Sequence, residues 1–128
     1  MVHVTLPPGI YYIGDLGYVT KGEAGYQWIE KVWQAFYADK TPAKLLTIDQ
    51  VLLFLGRTQG GDGIFDGFYC DTGTLVVLAI DTLLEDERFY FNNMVMKGAK
   101  FVTFLEPFQV SYQDGQWNIA DRIHIHTV

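Results

Sequence analysis

The side chains that could do chemistry are mainly carboxylates, and they lie in two stretches far apart in the sequence. Asp15 belongs to LPPGIYYIGDLGYV, whereas Asp62, Asp66 and Asp71 belong to GGDGIFDGFYCDTG. Two carboxyl groups can act as acid and base on a sugar, and an oxygen-rich loop can hold Ca²⁺. However, the D-x-[DN]-x-[DN]-G spacing of an EF-hand loop is missing, and Asp next to Gly is typical of turns. Catalysis and metal binding stay open, and turn chemistry favours a structural role.

Asp15 follows a glycine between two aromatic and β-branched runs, GIYYI and LGYV. This pattern predicts a type II′ hairpin turn at Gly14 and Asp15, in which the Asp15 carboxylate accepts hydrogen bonds from its own turn. If the chain has a site instead, we expect it where Asp15 meets the second acidic stretch, because loops clustered at one end of a β scaffold often carry sites. The ligand-binding candidates are Asp15, Tyr18, Asp66 and Asp71, with Trp28 as an aromatic wall.

The closing sequence RIHIHTV contains two histidines with one residue between them. On a strand, His124 and His126 share one face about 7 Å apart, which is close enough for both to bind one metal ion. A zinc or iron site requires a third protein ligand, and His3 is the only other histidine. We therefore predict the polar, outward face of a C-terminal strand, with no metal and no other cofactor.

Two common catalytic motifs are missing from the sequence. It has neither the G-x-x-x-x-G-K-[ST] of a phosphate loop nor the G-x-S-x-G of an α/β-hydrolase. Cys70 has no histidine or basic residue beside it in the sequence. We expect it to be a buried structural cysteine rather than a nucleophile.

Composition argues against two classes of partner. The net charge is −6 and the nine Lys and Arg residues are scattered, which argues against nucleic acid. The longest apolar runs, VLLFLG and TLVVLAI, are far shorter than the roughly 20 residues of a membrane-spanning helix, so no membrane association is expected. One cysteine cannot form an internal disulfide, and no signal-peptide pattern opens the chain. The sequence therefore predicts a cytoplasmic protein.

The elements that would position these side chains are mostly strands. In AGYQWIEKVWQAFYADK the apolar residues recur with helical spacing, which predicts one amphipathic helix near residues 24–38. From residue 50 onward, short β-branched and aromatic runs alternate with turn residues, and Asp114-Gly115 gives the strongest hairpin pattern. The 128 residues are expected to form one domain, residues 1–128. We predict a mainly β (α+β) fold, an antiparallel β-sandwich or a partly open barrel with the helix on one face or at an open end.

Two stretches leave local alternatives. In LLTIDQVLLFLGRT, Thr47 and Gln50 have the spacing of a helix capping box, but the apolar run is short and we favour a buried strand over residues 50–57. Tyr11 and Tyr12 must point to opposite faces of a strand. In a sheet with one buried face, one of them must therefore lie under the helix or face outward.

Three stretches resemble a family of small bacterial and phage-borne proteins to which no activity has been assigned. The family motifs are P-G-x-Y-Y-I-G-D-x-C-Y, then G-D-G-x-Y, then V-D-[AS]-G before an apolar strand. The matching stretches are LPPGIYYIGDLGYV, GRTQGGDGIFDGFYCDTGTLVVLAIDTL, and EPFQVSYQDGQW with RIHIHT. Gly17 stands where the family often has cysteine, and residues 70–73 read C-D-T-G. The resemblance implies a shared architecture and a cytoplasmic, bacterial or phage protein, and it implies no catalytic role.

The sequence favours binding over catalysis. No catalytic spacing is specific, and an aromatic content of 16% is more than one small core is expected to absorb. We therefore predict a binding or interaction module for a small molecule or a protein, with self-association into a homo-oligomer as a further expectation. The alternative is a hydrolase that uses Asp15 with Asp66 or Asp71 as paired carboxylates.

Overall fold

The computed structural model describes residues 1–16, 19–21, 26–80, 89–91 and 98–127. Within these ranges the chain forms antiparallel strands and one helix, which confirms the mainly β prediction with a helix near residues 24–38. The helix α1 is Tyr26–Phe36, and the strands are β1 (Val2–Leu6), β2 (Gly9–Asp15), β3 (Val19–Lys21), β4 (Ala43–Ile48), β5 (Val51–Arg57), β6 (Gly63–Phe65), β7 (Phe68–Cys70), β8 (Thr74–Ala79), β9 (Phe89–Phe91), β10 (Lys100–Phe104), β11 (Phe108–Gln113), β12 (Gln116–Ile119) and β13 (Ile123–His126).

Two larger sheets form the body of the fold. One has five strands in the order β10-β2-β8-β5-β4, and the other has four strands in the order β1-β11-β12-β13. The shorter strands pair as β3 with β9 and β6 with β7. The two sheets share a core and are not closed into a barrel, as expected for the predicted sandwich or partly open barrel.

The first core lies between the two large sheets. Phe54 of the five-stranded sheet meets Trp117 of the four-stranded sheet edge to face, with ring centroids 5.4 Å apart. Gly56 is needed at this contact, because a Cβ there would lie 2.5 Å from Trp117 Cζ2. The remaining buried members come from both sheets and the loops beside them, among them Leu6, Tyr11, Ile13, Val77, Phe104, Phe108, Val110, Tyr112, Ile119 and Ile125.

The second core lies between the outer face of the five-stranded sheet and α1. The buried helix residues are Trp28, Ile29, Val32 and Phe36, and they pack on the sheet through Tyr12, Leu53, Leu55, Val76 and Leu78. The sheet is thus covered on both faces, and every residue of β8 is buried. As a result Tyr12 lies under the helix while Tyr11 lies in the first core, as predicted for this pair.

Three hairpins use two-residue turns in which both central residues have positive φ, the geometry that matches the twist of paired strands. The predicted hairpin at Asp114-Gly115 is confirmed. The strand predicted over residues 50–57 is confirmed as β5. No helix begins at Thr47, because this residue lies in β4, and Asp49 and Gln50 form the turn between β4 and β5. The three turns are Asp49-Gln50, Asp66-Gly67 and Asp114-Gly115.

The hairpin turn predicted at Gly14 and Asp15 is wrong. Strand β2 continues through both residues, which pair with Val76 and Leu75 of β8. The glycine is required by close packing instead, because a Cβ on Gly14 would lie 2.9 Å from the Ala99 Cβ and 2.9 Å from the Tyr12 hydroxyl. A glycine inside a strand often marks such a close approach, and the sequence alone does not distinguish it from a turn.

Among the residues described here, no helix combines the length and the apolar character needed to cross a membrane.

Candidate functional site

Asp15 lies at the end of β2, where it ties the strand to the loop that follows β7. Its side chain is buried, with the residue 1% exposed. Asp15 Oδ2 accepts a hydrogen bond from the Asp71 backbone N–H at 2.6 Å, and Oδ1 accepts one from the Thr72 hydroxyl at 2.8 Å. The Thr72 hydroxyl in turn lies 2.9 Å from the Thr74 hydroxyl. The two acidic stretches therefore meet, because the Asp15 carboxylate accepts hydrogen bonds from a segment that is distant in the sequence.

Cys70 is the last residue of β7 and lies next to this junction. The thiol is fully buried and Sγ donates to the Thr74 carbonyl at 3.2 Å, so the expected buried cysteine is confirmed. Burial, and to a lesser degree the negative charge of Asp15, raise the pKa of Cys70 to about 11. Because the thiolate is the reactive form, this environment suppresses nucleophilic chemistry at neutral pH.

The other predicted candidates lie apart from this junction or outside the described residues. Trp28 is buried in the second core, where Nε1 donates to the Ile48 carbonyl at 3.1 Å, so its ring packs against protein. Asp66 lies in the turn between β6 and β7. Tyr18 falls outside the residues that the structure describes.

Asp66 binds the outer edge of the four-stranded sheet through His126. Its Oδ2 accepts the His126 backbone N–H at 2.6 Å and lies 3.1 Å from His126 Nδ1. These two bonds, the backbone one first, lower the pKa of Asp66. As predicted for this strand, His124 and His126 are exposed while Ile125 is buried. No cluster of three or more His, Cys, Asp or Glu side chains in the described ranges could hold a metal ion.

The outer face of the four-stranded sheet, which we call the polar face, presents amide, hydroxyl and imidazole side chains. Burial alternates along its strands, as in β11, so that one set of side chains enters the first core and the other faces solvent. The sequences of the four strands contain no Asp, Glu, Lys or Arg. The outward residues are His3, Thr5, Gln109, Ser111, Gln113, Gln116, Asn118, His124 and His126.

Strand register lines up four of these residues in one row across the polar face. His3 pairs with Ser111, Ser111 with Asn118, and Asn118 with His124. With strands about 4.8 Å apart, the row is about 14 Å long. Imidazole, hydroxyl and amide groups therefore follow one another across the sheet, although they come from both ends of the chain.

A groove opens beside this row. It has a volume of about 730 Å³ and lies between the loop around residues 103–107 and the turn around residues 120–122. Gln109, Ser111 and Asn118 contribute to it from the polar face, together with His3. The charged residues at the groove are confined to the loop and the turn, where Glu106, Asp121 and Arg122 lie.

Two residues of the turn beside the groove are held in defined positions. Asn118 Nδ2 donates to Asp121 Oδ1 at 2.8 Å, and Asn118 Oδ1 accepts the Asp121 backbone N–H at 3.0 Å. The Arg122 guanidinium lies 5.4 Å from the centre of the Phe104 ring, a cation–π distance. The amide of Asn118 is therefore oriented before any ligand arrives.

Sequence reasoning identified the two outward histidines of β13 but missed the groove and most of the polar face. The signal was present, since every polar residue of FQVSYQ, QWNI and VHVTL is uncharged and alternates with apolar residues. Its meaning depends on register, because only strand pairing shows that His3, Ser111 and Asn118 are neighbours.

The residues that carry the family-like motifs are physically connected, since the Asp15 carboxylate binds the C-D-T-G loop at Asp71 and Thr72. The family resemblance itself stays a prediction from those motifs. The sequence matches no protein-family model, no curated protein and no solved structure.

Proposed function

We propose that the protein is a small, non-catalytic binding module whose ligand site is the groove beside the polar face. The observation that carries the proposal is an exposed sheet surface made only of amide, hydroxyl and imidazole side chains, in a chain in which 19% of residues are charged. Protein surfaces ordinarily mix charges of both signs. A surface from which charge is missing, although hydrogen-bonding groups are dense, fits the recognition of a polar ligand.

The groove has the dimensions of a small-molecule site. Ligand pockets commonly measure about 300–1,000 Å³ and place a few polar groups at fixed positions. The groove volume of about 730 Å³ falls in this range. Asn118, which Asp121 already orients, supplies a fixed polar group.

The hydrolase alternative has less support. Paired catalytic carboxylates must reach a substrate and an attacking water. The Asp15 side chain is buried and both of its oxygens accept protein hydrogen bonds, and Asp66 binds His126 on the sheet edge. These contacts favour a structural use of both carboxylates.

Self-association also has less support than the sequence indicated. Among the aromatic residues whose burial the structure describes, most lie in the two buried clusters, while Tyr37 and Phe101 are exposed. The proposal keeps the cytoplasmic location, which the buried thiol of Cys70 supports. It also excludes nucleic acid as the ligand, because the polar face has no Lys or Arg to pair with phosphates.

A fragment screen by NMR tests the proposed function. Uniformly ¹⁵N-labelled protein is titrated with a library of small neutral, cationic and anionic fragments. We expect backbone amide shifts to concentrate at Gln109, Ser111 and Asn118 for at least one class of fragment. Shifts that concentrate instead at Asp15 and Asp71, or no shifts at the groove with any fragment, would contradict the proposal.

A further inference from the structure

We infer that the ligand of the groove is a neutral, hydroxyl-rich molecule of the short-oligosaccharide class. This assignment rests on the proposed function and adds the chemical class of the ligand. It follows from three properties of the polar face: the absence of Asp, Glu, Lys and Arg from its strands, the double donor and acceptor character of its side chains, and its lack of the aromatic, Met and Arg side chains that anchor protein partners.

The missing charge argues against an anionic ligand. Phosphates and carboxylates are recognised by Lys and Arg, often through bidentate contacts. The outward side chains of the polar face include neither residue. At the groove, the Arg122 guanidinium packs on the Phe104 ring, while Glu106 and Asp121 nearby would repel an anion.

The hydrogen-bonding groups match hydroxyls in kind. Asn and Gln amides each provide donors and acceptors, and a Ser or Thr hydroxyl provides both on one atom. A sugar hydroxyl also donates and accepts hydrogen bonds. These side chains can therefore pair with every hydroxyl of a sugar without burying a charge. Asn118 uses one donor and one acceptor site on Asp121, which leaves a second N–H and a second lone pair for a ligand.

The shape of the surface favours an extended ligand. The part of the row that lines the groove, from His3 through Ser111 to Asn118, is about 10 Å long, which suits more than one sugar ring. At the groove, Leu105 is 89% exposed and stands beside Pro107 on the loop. Their aliphatic surface can cover the C–H face of a sugar ring.

A protein partner fits this surface less well. The centres of protein interfaces are enriched in Tyr, Trp, Phe, Met and Arg. None of the nine outward residues of the polar face belongs to that group. Binding of a protein would therefore bury amide and hydroxyl groups with little apolar gain.

Titration with defined trisaccharides tests the ligand class. The probes are maltotriose, cellotriose and N,N′,N″-triacetylchitotriose, which are neutral, and trigalacturonate, which is an anion of the same length. We expect at least one neutral probe to shift the groove amides, with an affinity that changes little between low and physiological salt. Gln109→Ala should weaken that affinity about three- to tenfold through the lost hydrogen bond.

Gln113→Ala is the matched control. It removes the same side chain from the same face of β11, but Gln113 does not line the groove. We expect it to change the affinity by less than about twofold, since it removes no contact of the ligand. Equal losses in the two variants would overturn the groove as the sugar site.

The remaining outcomes separate the ligand class from the proposed function. Tighter binding of trigalacturonate than of every neutral probe would overturn a neutral ligand and leave the groove as a site. Failure of all four sugars, together with groove shifts from other fragments, would overturn the sugar class alone. If no probe of any kind shifts the groove, both proposals are wrong.

Discussion

The two large sheets of this protein differ in what covers them. The five-stranded sheet has the four-stranded sheet on one face and α1 on the other, and β8 at its centre is buried at every position. The four-stranded sheet packs on one face only, so β11 alternates between buried and accessible residues. A continuous apolar run in a strand thus indicates a sheet that is covered on both faces, and an alternating run indicates a sheet that is covered on one face.

Because of this difference, the five-stranded sheet serves mainly the stability of the fold, whereas the four-stranded sheet also offers a surface for binding. The central strand of the five-stranded sheet has no free surface, and the polar side chain of Asp15 at the end of the neighbouring β2 serves an internal contact. The sheet with one free face can vary its outward side chains without disturbing the core. In this protein that free face is neutral and adjoins the groove.

The largest effects should come from pairs of neighbouring residues in the two sheets. Leu53 and Phe54 face opposite cores, so Leu53→Ala should lower the free energy of unfolding by about 2–5 kcal/mol and Phe54→Ala by about 3–5 kcal/mol. In β12, Trp117→Ala should lower the free energy of unfolding by about 3–5 kcal/mol. Gln116 is the exposed neighbour of Trp117, and Gln116→Ala should change that free energy by less than about 0.5 kcal/mol. Urea denaturation measures all four.

The contrast between the pairs matters more than any single value. If Leu53→Ala and Phe54→Ala differ as widely as Trp117→Ala and Gln116→Ala, one face of the five-stranded sheet is not a core. That result would remove the distinction between the two sheets.

Loss of the Asp15 charge should have the next largest effect. Asp15→Asn keeps the shape of the side chain but can offer only one acceptor oxygen to Asp71 N–H and the Thr72 hydroxyl. Hydrogen bonds to a charged group are stronger than those between neutral groups. We therefore expect Asp15→Asn to lower the free energy of unfolding, measured by thermal or urea denaturation, by about 1.5–3 kcal/mol.

Asp62→Asn is the control, since Asp62 is an exposed acid of the same stretch as Asp71. It should leave stability unchanged. An Asp15→Asn variant with full stability but altered fragment binding would assign Asp15 to a site rather than to the junction.

The pH dependence of stability should reveal the buried thiol. Cys70 has a pKa of about 11 in the folded protein, above the ordinary value of about 8.5 in an unfolded chain. As pH rises between these values the unfolded state ionises first, so the stability that Cys70 contributes at neutral pH is progressively lost. We expect the free energy of unfolding to fall from pH 8 toward pH 10, and to fall less in Cys70→Ala. Parallel pH profiles of the two proteins would mean that the thiol is not buried as described.

The smallest effect is expected at the exposed contact between Asp66 and His126. The pKa of Asp66 is lowered by its bonds to His126, so the contact stabilises the fold above the unfolded pKa and is lost as pH falls through the folded pKa. Because the pair is exposed, Asp66→Asn should reduce stability less than Asp15→Asn does. A shift of the His126 amide signal in NMR spectra of Asp66→Asn would report the broken contact. If Asp66→Asn lost as much stability as Asp15→Asn, this ranking would be contradicted.

Much of the fold could be predicted because the signals are local. The helical spacing of apolar residues located α1, and the Asp-Gly pair located the turn between β11 and β12. The same kind of reasoning failed where one residue type serves two purposes. Gly14 indicated a turn but is needed for close packing inside β2, and Gln50 indicated a cap but takes a positive φ in a turn.

The sequence by itself determined the mainly β class, the helix near residues 24–38 and which side chains of a strand such as β13 share a face, because periodicity is a property of the local backbone. Only the tertiary structure decided that Asp15 meets Asp71, and that His3 lies in one row with Ser111, Asn118 and His124. The physical reason is that strand order and register depend on which surfaces bury the most apolar area together. Neighbours across a sheet therefore have no fixed distance along the chain.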